Sequence, residues 1–211
     1  MTNVILYIVR HGRSEWNAEG KLQGWMPSRL NEEGLSQAKS LAAYLTRYPI
    51  TEIFSSDLER CRQTAAPIAE STGISVQFTE ALREVSYGTW AGKTRSEIAE
   101  AFPNEFERFM RDRANFRVPG GETLDEVADR TERFVRDEVQ KRSDEARHIV
   151  FVTHGAATRV LVSRLLGFPL DRAGALRVDN ASLQMLEYDS HSTEEFTLIR
   201  WNDATHFERR A

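Results

Sequence analysis

Two strand-like segments, one near the N-terminus and one near residue 150, end in the same way. Together they limit the fold more than any other feature. Ile5-Leu6-Tyr7-Ile8-Val9-Arg10-His11-Gly12 and Ile149-Val150-Phe151-Val152-Thr153-His154-Gly155 are each an apolar run that delivers His-Gly. A run that is apolar at successive positions and rich in β-branched and aromatic residues has no face to give to water. It belongs inside a sheet covered on both sides. Amphipathic segments lie between and around the two runs. Leu35, Ala38, Leu41, Ala42 and Leu45 recur at helical spacing, as do Leu124, Val127, Ala128, Thr131, Phe134, Val135 and Val139. Strand–helix alternation of this kind predicts an α/β fold, three layers α/β/α with a mostly parallel central sheet.

Further elements follow from local signals. Glu52-Ile53-Phe54-Ser55 and Ser75 to Phe78 read as short strands, and Ser182 to Tyr188 and Phe196 to Trp201 as two late ones around a polar turn. Asp57 is placed to cap a helix from Leu58 towards Ala69, which Pro67 should kink or divide. Thr123 and Glu126 offer a capping box. A helix after Gly155 should stop near Gly167 and Pro169. No linker, repeat or low-complexity tract interrupts residues 1–211, which predicts one domain. Residues 85–120, with two weak helical stretches parted near Pro103, are its expected inserted cap.

Composition narrows the function classes. Hydrophobic residues make up 40% of the chain, with 11 Phe and 4 Trp, which is ample for a core. Lys and Arg number 28 against 32 Asp and Glu, a net charge of −4, so a nucleic-acid partner is not expected. The single cysteine, Cys61, rules out an intramolecular disulfide and a Cys-rich metal cluster, and favours a reducing compartment. Its helical spacing with Leu58 and Ala65 makes it a packing residue. No run approaches the ~20 apolar residues of a membrane span. The expectation is a cytoplasmic protein with no membrane partner.

In an open α/β sheet, ligands bind at the carboxyl ends of the strands. Two His delivered there can face one site, and the glycine after each allows close backbone approach to a ligand. The spacing of the other His does not suit a metal, and Arg10 would repel a cation, so an anion site fits better. Arg60, in the first turn of a predicted helix just after a short strand, supplies a second guanidinium at that sheet edge.

These motifs resemble the histidine phosphatase superfamily, the phosphoglycerate mutase-like group. The resemblance is carried by Leu6-Tyr7-Ile8-Val9-Arg10-His11-Gly12, Asn17, Leu22-Gln23-Gly24, Leu30, Gly34 and Gln37-Ala38. It continues through Ser55-Ser56-Asp57-Leu58-Glu59-Arg60-Cys61-Arg62-Gln63-Thr64-Ala65 and Leu82-Arg83-Glu84 with Gly88-Thr89-Trp90-Ala91-Gly92. Gly120-Gly121-Glu122-Thr123 and Val152-Thr153-His154-Gly155 complete it. The motifs run in order from about residue 4 to 186. The resemblance implies His11 as the nucleophile that becomes a phosphohistidine, and Glu84 as the proton donor. It implies Arg10, Arg60 and His154 around the phosphoryl oxygens, with Asn17 assisting, and Gln23, Tyr87 and Gly155 at the substrate pocket.

The chemistry is consistent with those roles. Phosphoryl transfer asks mainly for positioning and charge stabilisation. Neutral imidazole is a good nucleophile at pH 7, and its second nitrogen needs an acceptor, expected to be a backbone carbonyl. Two Arg and a second His can offset a dianion with no metal and no cofactor.

The chain departs from the family pattern at Arg13, where an acidic residue or Gln is usual. It departs again at Met26-Pro27 and Arg29, where Asp-x-Pro-Leu is common. If these Arg face the pocket, a second anionic group on the substrate would suit them. Glu84 is followed by Val85-Ser86-Tyr87-Gly88, only half of the Arg-His-Tyr-Gly run of the mutases. The reading is a metal-independent phosphomonoesterase acting on a small phosphorylated metabolite, with inorganic phosphate as product. The alternatives are a cofactor-dependent phosphoglycerate mutase and a non-catalytic module on the same fold. Trp25, Trp90 and Phe116 read equally as a lid or contact surface and as core, so the sequence is compatible with a homodimer.

Overall fold

The computed structural model describes residues 4–141 and 146–207. Its centre is a six-stranded sheet. In chain order the elements are β1 (Val4–Arg10), α1 (Glu15–Ala18), α2 (Glu32–Leu45), β2 (Glu52–Ser56), α3 (Glu59–Thr72), β3 (Val76–Thr79), α4 (Arg95–Ala101), α5 (Pro103–Arg111), α6 (Leu124–Gln140), β4 (Arg147–Thr153), α7 (Gly155–Leu165), β5 (Leu183–Tyr188) and β6 (Phe196–Asp203). The strand order is β3-β2-β4-β1-β5-β6. The β1–β4, β2–β4 and β2–β3 pairs are parallel, and the β1–β5 and β5–β6 pairs antiparallel. The two His-Gly runs are therefore neighbours at mid-sheet.

Alternation along those runs builds both outer layers. Leu6, Ile8, Ile149 and Phe151 join Val135 and Val139 of α6 and Leu161 and Leu165 of α7 on one face. Tyr7, Val9, Val150 and Val152 join Leu41 and Leu45 of α2 and Cys61, Ala65 and Ile68 of α3 on the other. This is the expected three-layer α/β/α arrangement. Among the described residues no helix is long and apolar enough to cross a membrane.

Local readings are mostly met. Thr123 caps α6 in a reciprocal box with Glu126, and α7 gives way before Gly167, whose φ is 66°. Three details differ. Helix α3 runs through Pro67 undivided, because the buried Cys61, Thr64, Ala65 and Ile68 hold it on both sides of the one missing backbone bond. Asp57 does not cap α3. Leu58 occupies that position with no side-chain bond, while the Asp57 carboxylate takes a two-point grip from Arg83 at 2.7 and 2.5 Å. Helix α1, four residues capped by Ser14 and Asn17, has too little apolar periodicity to be read from sequence.

Within residues 85–120 a small apolar cluster forms. Trp90, Ile98 and Val118 are buried together, with Phe102, Phe106, Phe109 and Phe116 packed against them. Trp90 and Phe116 stack at 5.7 Å and are core. Trp25 is 44% exposed and lies outside that cluster.

Candidate active site

The register that pairs Arg10 with Thr153 sets His11 beside His154. Their rings meet edge to face, 5.2 Å between centroids. The His11 amide donates to Thr153 O at 2.9 Å, and Asn180 Nδ2 donates to His11 O and Gly12 O at 3.2 and 3.3 Å. His11 Nδ1 lies 2.7 Å from Gly12 O. A carbonyl can only accept, so Nδ1 carries the proton and Nε2 holds the free lone pair. Burial, then the charges of Arg60 and Arg10, push His11 well below the ordinary imidazole value, so the ring is neutral at pH 7.

Gly12 makes this turn possible. A Cβ there would stand 2.5 Å from Gly34 O, so no side chain fits between the two backbones. At Gly155 a Cβ would stand 3.2 Å from Arg10 Nε, a buried donor with no protein partner. Arg10 Nη1 donates to Val178 O at 2.7 Å. Burial lowers Arg10 to about 10, which leaves it charged at pH 7.

Arg60, the second residue of α3, is 1% exposed. Its Nη2 donates to Gly24 O at 2.7 Å and its Nε to His154 Nδ1 at 3.2 Å. A guanidinium only donates, so Nδ1 of His154 is the bare nitrogen and Nε2–H donates to Ser56 Oγ at 2.8 Å. Both nitrogens of His154 are thus engaged by protein. The ring backs Arg60 and His11 and does not line the cavity. Burial, then Arg60, holds it well below the ordinary value. Cys61 packs beneath it with Sγ 3.4 Å from Nε2, its thiol pushed up to about 12 by burial.

Glu84 reaches the same place from the loop after the short helical turn Glu80–Leu82. Its Oε1 accepts from Val85 and Ala157 amides, each at 3.0 Å, and its Oε2 from the Ala156 amide at 3.2 Å. The last two belong to the first turn of α7, whose N-cap His154 supplies no side-chain cap. Arg130 holds the loop from below. It donates to the carbonyls of Ala81, Arg83 and Glu84 at 2.8–3.0 Å and grips Glu122 through Nε and Nη2. From outside, Trp25 Nε1 donates to Glu84 O at 2.7 Å.

A cavity of about 160 Å³ collects His11, Arg10, Arg60, Glu84, Asn17, Gln23, Tyr87 and Gly155. Of the residues expected from sequence, only His154 stands behind its wall. Asn17 Oδ1 is taken by Ser14 and Asn180, so its Nδ2 is the group left for a ligand. Gln23 Oε1 is buried with no partner. Tyr87 is half-buried, and burial raises its phenol, which stays a donor at pH 7. Arg13 pairs with Glu33 at 2.8 Å, Arg29 is exposed, and neither lines the cavity. The added positive charge comes instead from Lys21, Arg95 and Arg159. Of these, Arg159 had a sequence signal. It follows Gly155 by four residues on α7, hence on the same helix face. Among the described residues no three His, Cys, Asp or Glu side chains are grouped to hold a metal ion.

Comparison with known proteins places this geometry. The model of the histidine phosphatase superfamily, branch 1, matches residues 6–204. Phosphoserine phosphatase 1 of Hydrogenobacter thermophilus is 35% identical over 186 residues, covering 88% of this chain and 87% of that protein. A probable phosphoglycerate mutase, GpmB, of Shigella boydii is 34% identical over 183 residues, 87% of this chain and 84% of its own. A mycobacterial glucosyl-3-phosphoglycerate phosphatase solved with VO3 is 32% identical, with a TM-score of 0.83 over 94% of this chain and 98% of that one. With a matching fold, a family match over nearly its whole length and His11 and His154 paired at mid-sheet, the chain belongs to the histidine phosphatase superfamily.

Proposed function

We propose that this protein is a metal-independent phosphomonoester hydrolase that works through a phosphohistidine on His11 and takes a small phosphorylated metabolite. The observation that carries the reading is the fixed tautomer of His11. Its Nδ1–H is held by Gly12 O, which leaves Nε2 as a neutral nucleophile in a cavity shared with two guanidiniums and one carboxyl group. In the first step Nε2 attacks phosphorus and the ester oxygen leaves with the proton of the Glu84 carboxyl. In the second, water gives a proton to Glu84 and attacks phosphorus, releasing inorganic phosphate and neutral His11. Arg10, Arg60, Asn17 and Gln23 hold the phosphoryl oxygens, while His154 holds Arg60 in place. Arg10 and Arg60 supply the charge that the transferring group requires. Residues 1–211 act as one domain, with residues 85–120 as its rim. Two similar proteins are named as phosphatases, and one of these was solved with an oxyanion.

The relative named as a probable mutase supports a second reading, in which the phosphoryl group returns to a bound phosphoglycerate. Hydrolysis of an aryl phosphate that survives chelator, is lost in His11→Ala, and leaves an acid-labile, base-stable phosphoryl label on denatured protein is the expected result. Transfer from bisphosphoglycerate to monophosphoglycerate faster than to water would replace the hydrolase by the mutase. Near wild-type turnover in His11→Ala would sink both.

A further inference from the structure

A second chamber of about 190 Å³ adjoins the catalytic cavity. The two share Tyr87, Arg95, Ala156 and Arg159, which form their common boundary. Beyond that boundary the walls carry an apolar stretch, Phe109, Leu124, Val160 and Leu170, together with the charged Arg113 and Asp171.

The charges at the boundary exceed what a phosphoryl group requires. The catalytic cavity is lined by Arg10, Lys21, Arg60, Arg95 and Arg159 against the carboxylate of Glu84. Lys21 is paired with Glu19 at 2.6 Å. Arg10 and Arg60 flank His11 and match a dianionic phosphoryl group. Arg95 and Arg159 remain. Among the described residues neither has a carboxylate partner; Arg159 Nε donates to Leu176 O at 2.8 Å, which anchors the side chain and leaves both Nη groups open. Arg159 bears electrostatically on Arg10 and Tyr87, and Arg95 on Tyr87, so like charges gather here in excess of the one carboxyl group, Glu84, that lines the cavity with them. Such a gathering costs free energy that a bound anion returns. Asp171 lines the chamber but not the catalytic cavity, and shares the outer groove with Arg111, Arg113 and Arg172.

We infer that Arg95 and Arg159 form a second anion subsite. The substrate is then a phosphomonoester whose alcohol portion joins an apolar body to a carboxylate or a further phosphate. The inference rests on the hydrolase reading for the position of the phosphoryl group. The anion bridges the two guanidiniums at the boundary, and the apolar body lies against Phe109, Leu124, Val160 and Leu170. Two open guanidiniums facing one anion make charge-assisted hydrogen bonds, for which a preference of about tenfold over a neutral isostere is expected.

The test uses ligands that cannot turn over. 3- and 4-carboxybenzylphosphonate are titrated calorimetrically into the wild type, each against its carbamoyl counterpart, with phosphonomethyl analogues as a parallel arm. The expected result is tighter binding of at least one acid over its neutral partner. That ratio should fall toward one in Arg159→Ala and in Arg95→Ala with Arg159→Ala. Arg95 is an exposed residue of α4, so Arg95→Ala alone keeps the test open if Arg159→Ala loosens the Leu176 loop. The carboxylate and phosphonate arms tell which acid is preferred. A ratio near one in the wild type, or one that persists in the double variant, overturns the subsite. Selective binding of the acids by a protein that hydrolyses no aryl phosphate would leave the subsite standing and remove the hydrolase.

Discussion

Arg60 Nε donates to His154 Nδ1 at 3.2 Å, and this one contact orders the centre of the site. It assigns the tautomer of a buried imidazole, sends the opposite N–H to Ser56, and sets His154 directly against the guanidinium that lines the cavity. Ser56 is therefore two hydrogen bonds from the Arg60 guanidinium, and a positioning effect is expected of it. Ser56→Ala leaves a buried N–H without its acceptor, at a cost of about 1–3 kcal/mol. Urea unfolding should register that loss. The KM for an aryl phosphate should rise as Arg60 loosens, with Ser56→Thr restoring part of both. An unchanged KM in a destabilised Ser56→Ala would limit Ser56 to a structural role.

His11, His148, His154 and His206 all titrate below the ordinary imidazole value, with burial the first cause in each. In the unfolded chain these rings take up protons as pH falls through about 6.5, whereas the folded ones resist. Acid therefore favours the unfolded state. Their contribution to stability is complete above pH 6.5 and is lost progressively below it. Denaturant midpoints should fall between pH 7.5 and 5.5, with net proton uptake on unfolding. A flat profile over that range would falsify the buried neutral assignment.

Gly12 and Gly34 press backbone on backbone. A Cβ at Gly34 would stand 2.0 Å from Arg13 O, and one at Gly12 2.5 Å from Gly34 O. Neither obstacle is a flexible side chain. Gly12→Ala should cost about 1–3 kcal/mol in thermal or urea unfolding. It should also lower turnover by shifting the carbonyl that holds His11 Nδ1. Wild-type stability in Gly12→Ala would show that the two loops separate freely.

Arg130 ties three loop carbonyls and Glu122 together beneath Glu84. Arg130→Ala takes the guanidinium from the Ala81 and Arg83 carbonyls and the charge from Glu122, while Glu84 O keeps the Trp25 indole and Glu122 Oε2 keeps the Ser86 amide. A loss of about 2–4 kcal/mol is expected by chemical denaturation. Because the loop carries the proposed proton donor, kcat for a substrate with a poor leaving group should fall more than kcat for a good one. An equal fall for both would place the effect outside proton donation.

The strands that build the site were legible because their pattern is local. The unbroken apolar runs 4–9 of β1 and 149–152 of β4 require cover on both faces, and His-Gly at the two ends put His11 and His154 at one edge. Arg60 was found because a strand–helix junction locates its own first turn. The misreadings arose where a local preference met a distant partner. Asp57 is a good helix cap by propensity, yet Arg83, 26 positions on, takes its carboxylate. The motif left open whether Arg13 and Arg29 face the pocket, and a partner distant in sequence decided it for Arg13, which Glu33 draws away.

Sequence by itself determined the layers, the central pair of strands and the family to which the chain belongs, since each follows from residues close together in the chain. Only the tertiary structure decided which nitrogen of each imidazole is free, that His154 backs Arg60, and that Arg95 and Arg159 face the cavity. A charged residue on a helix reads the same whether it meets solvent or a pocket. The difference lies in the elements packed opposite it, and those are set by contacts between residues tens of positions apart.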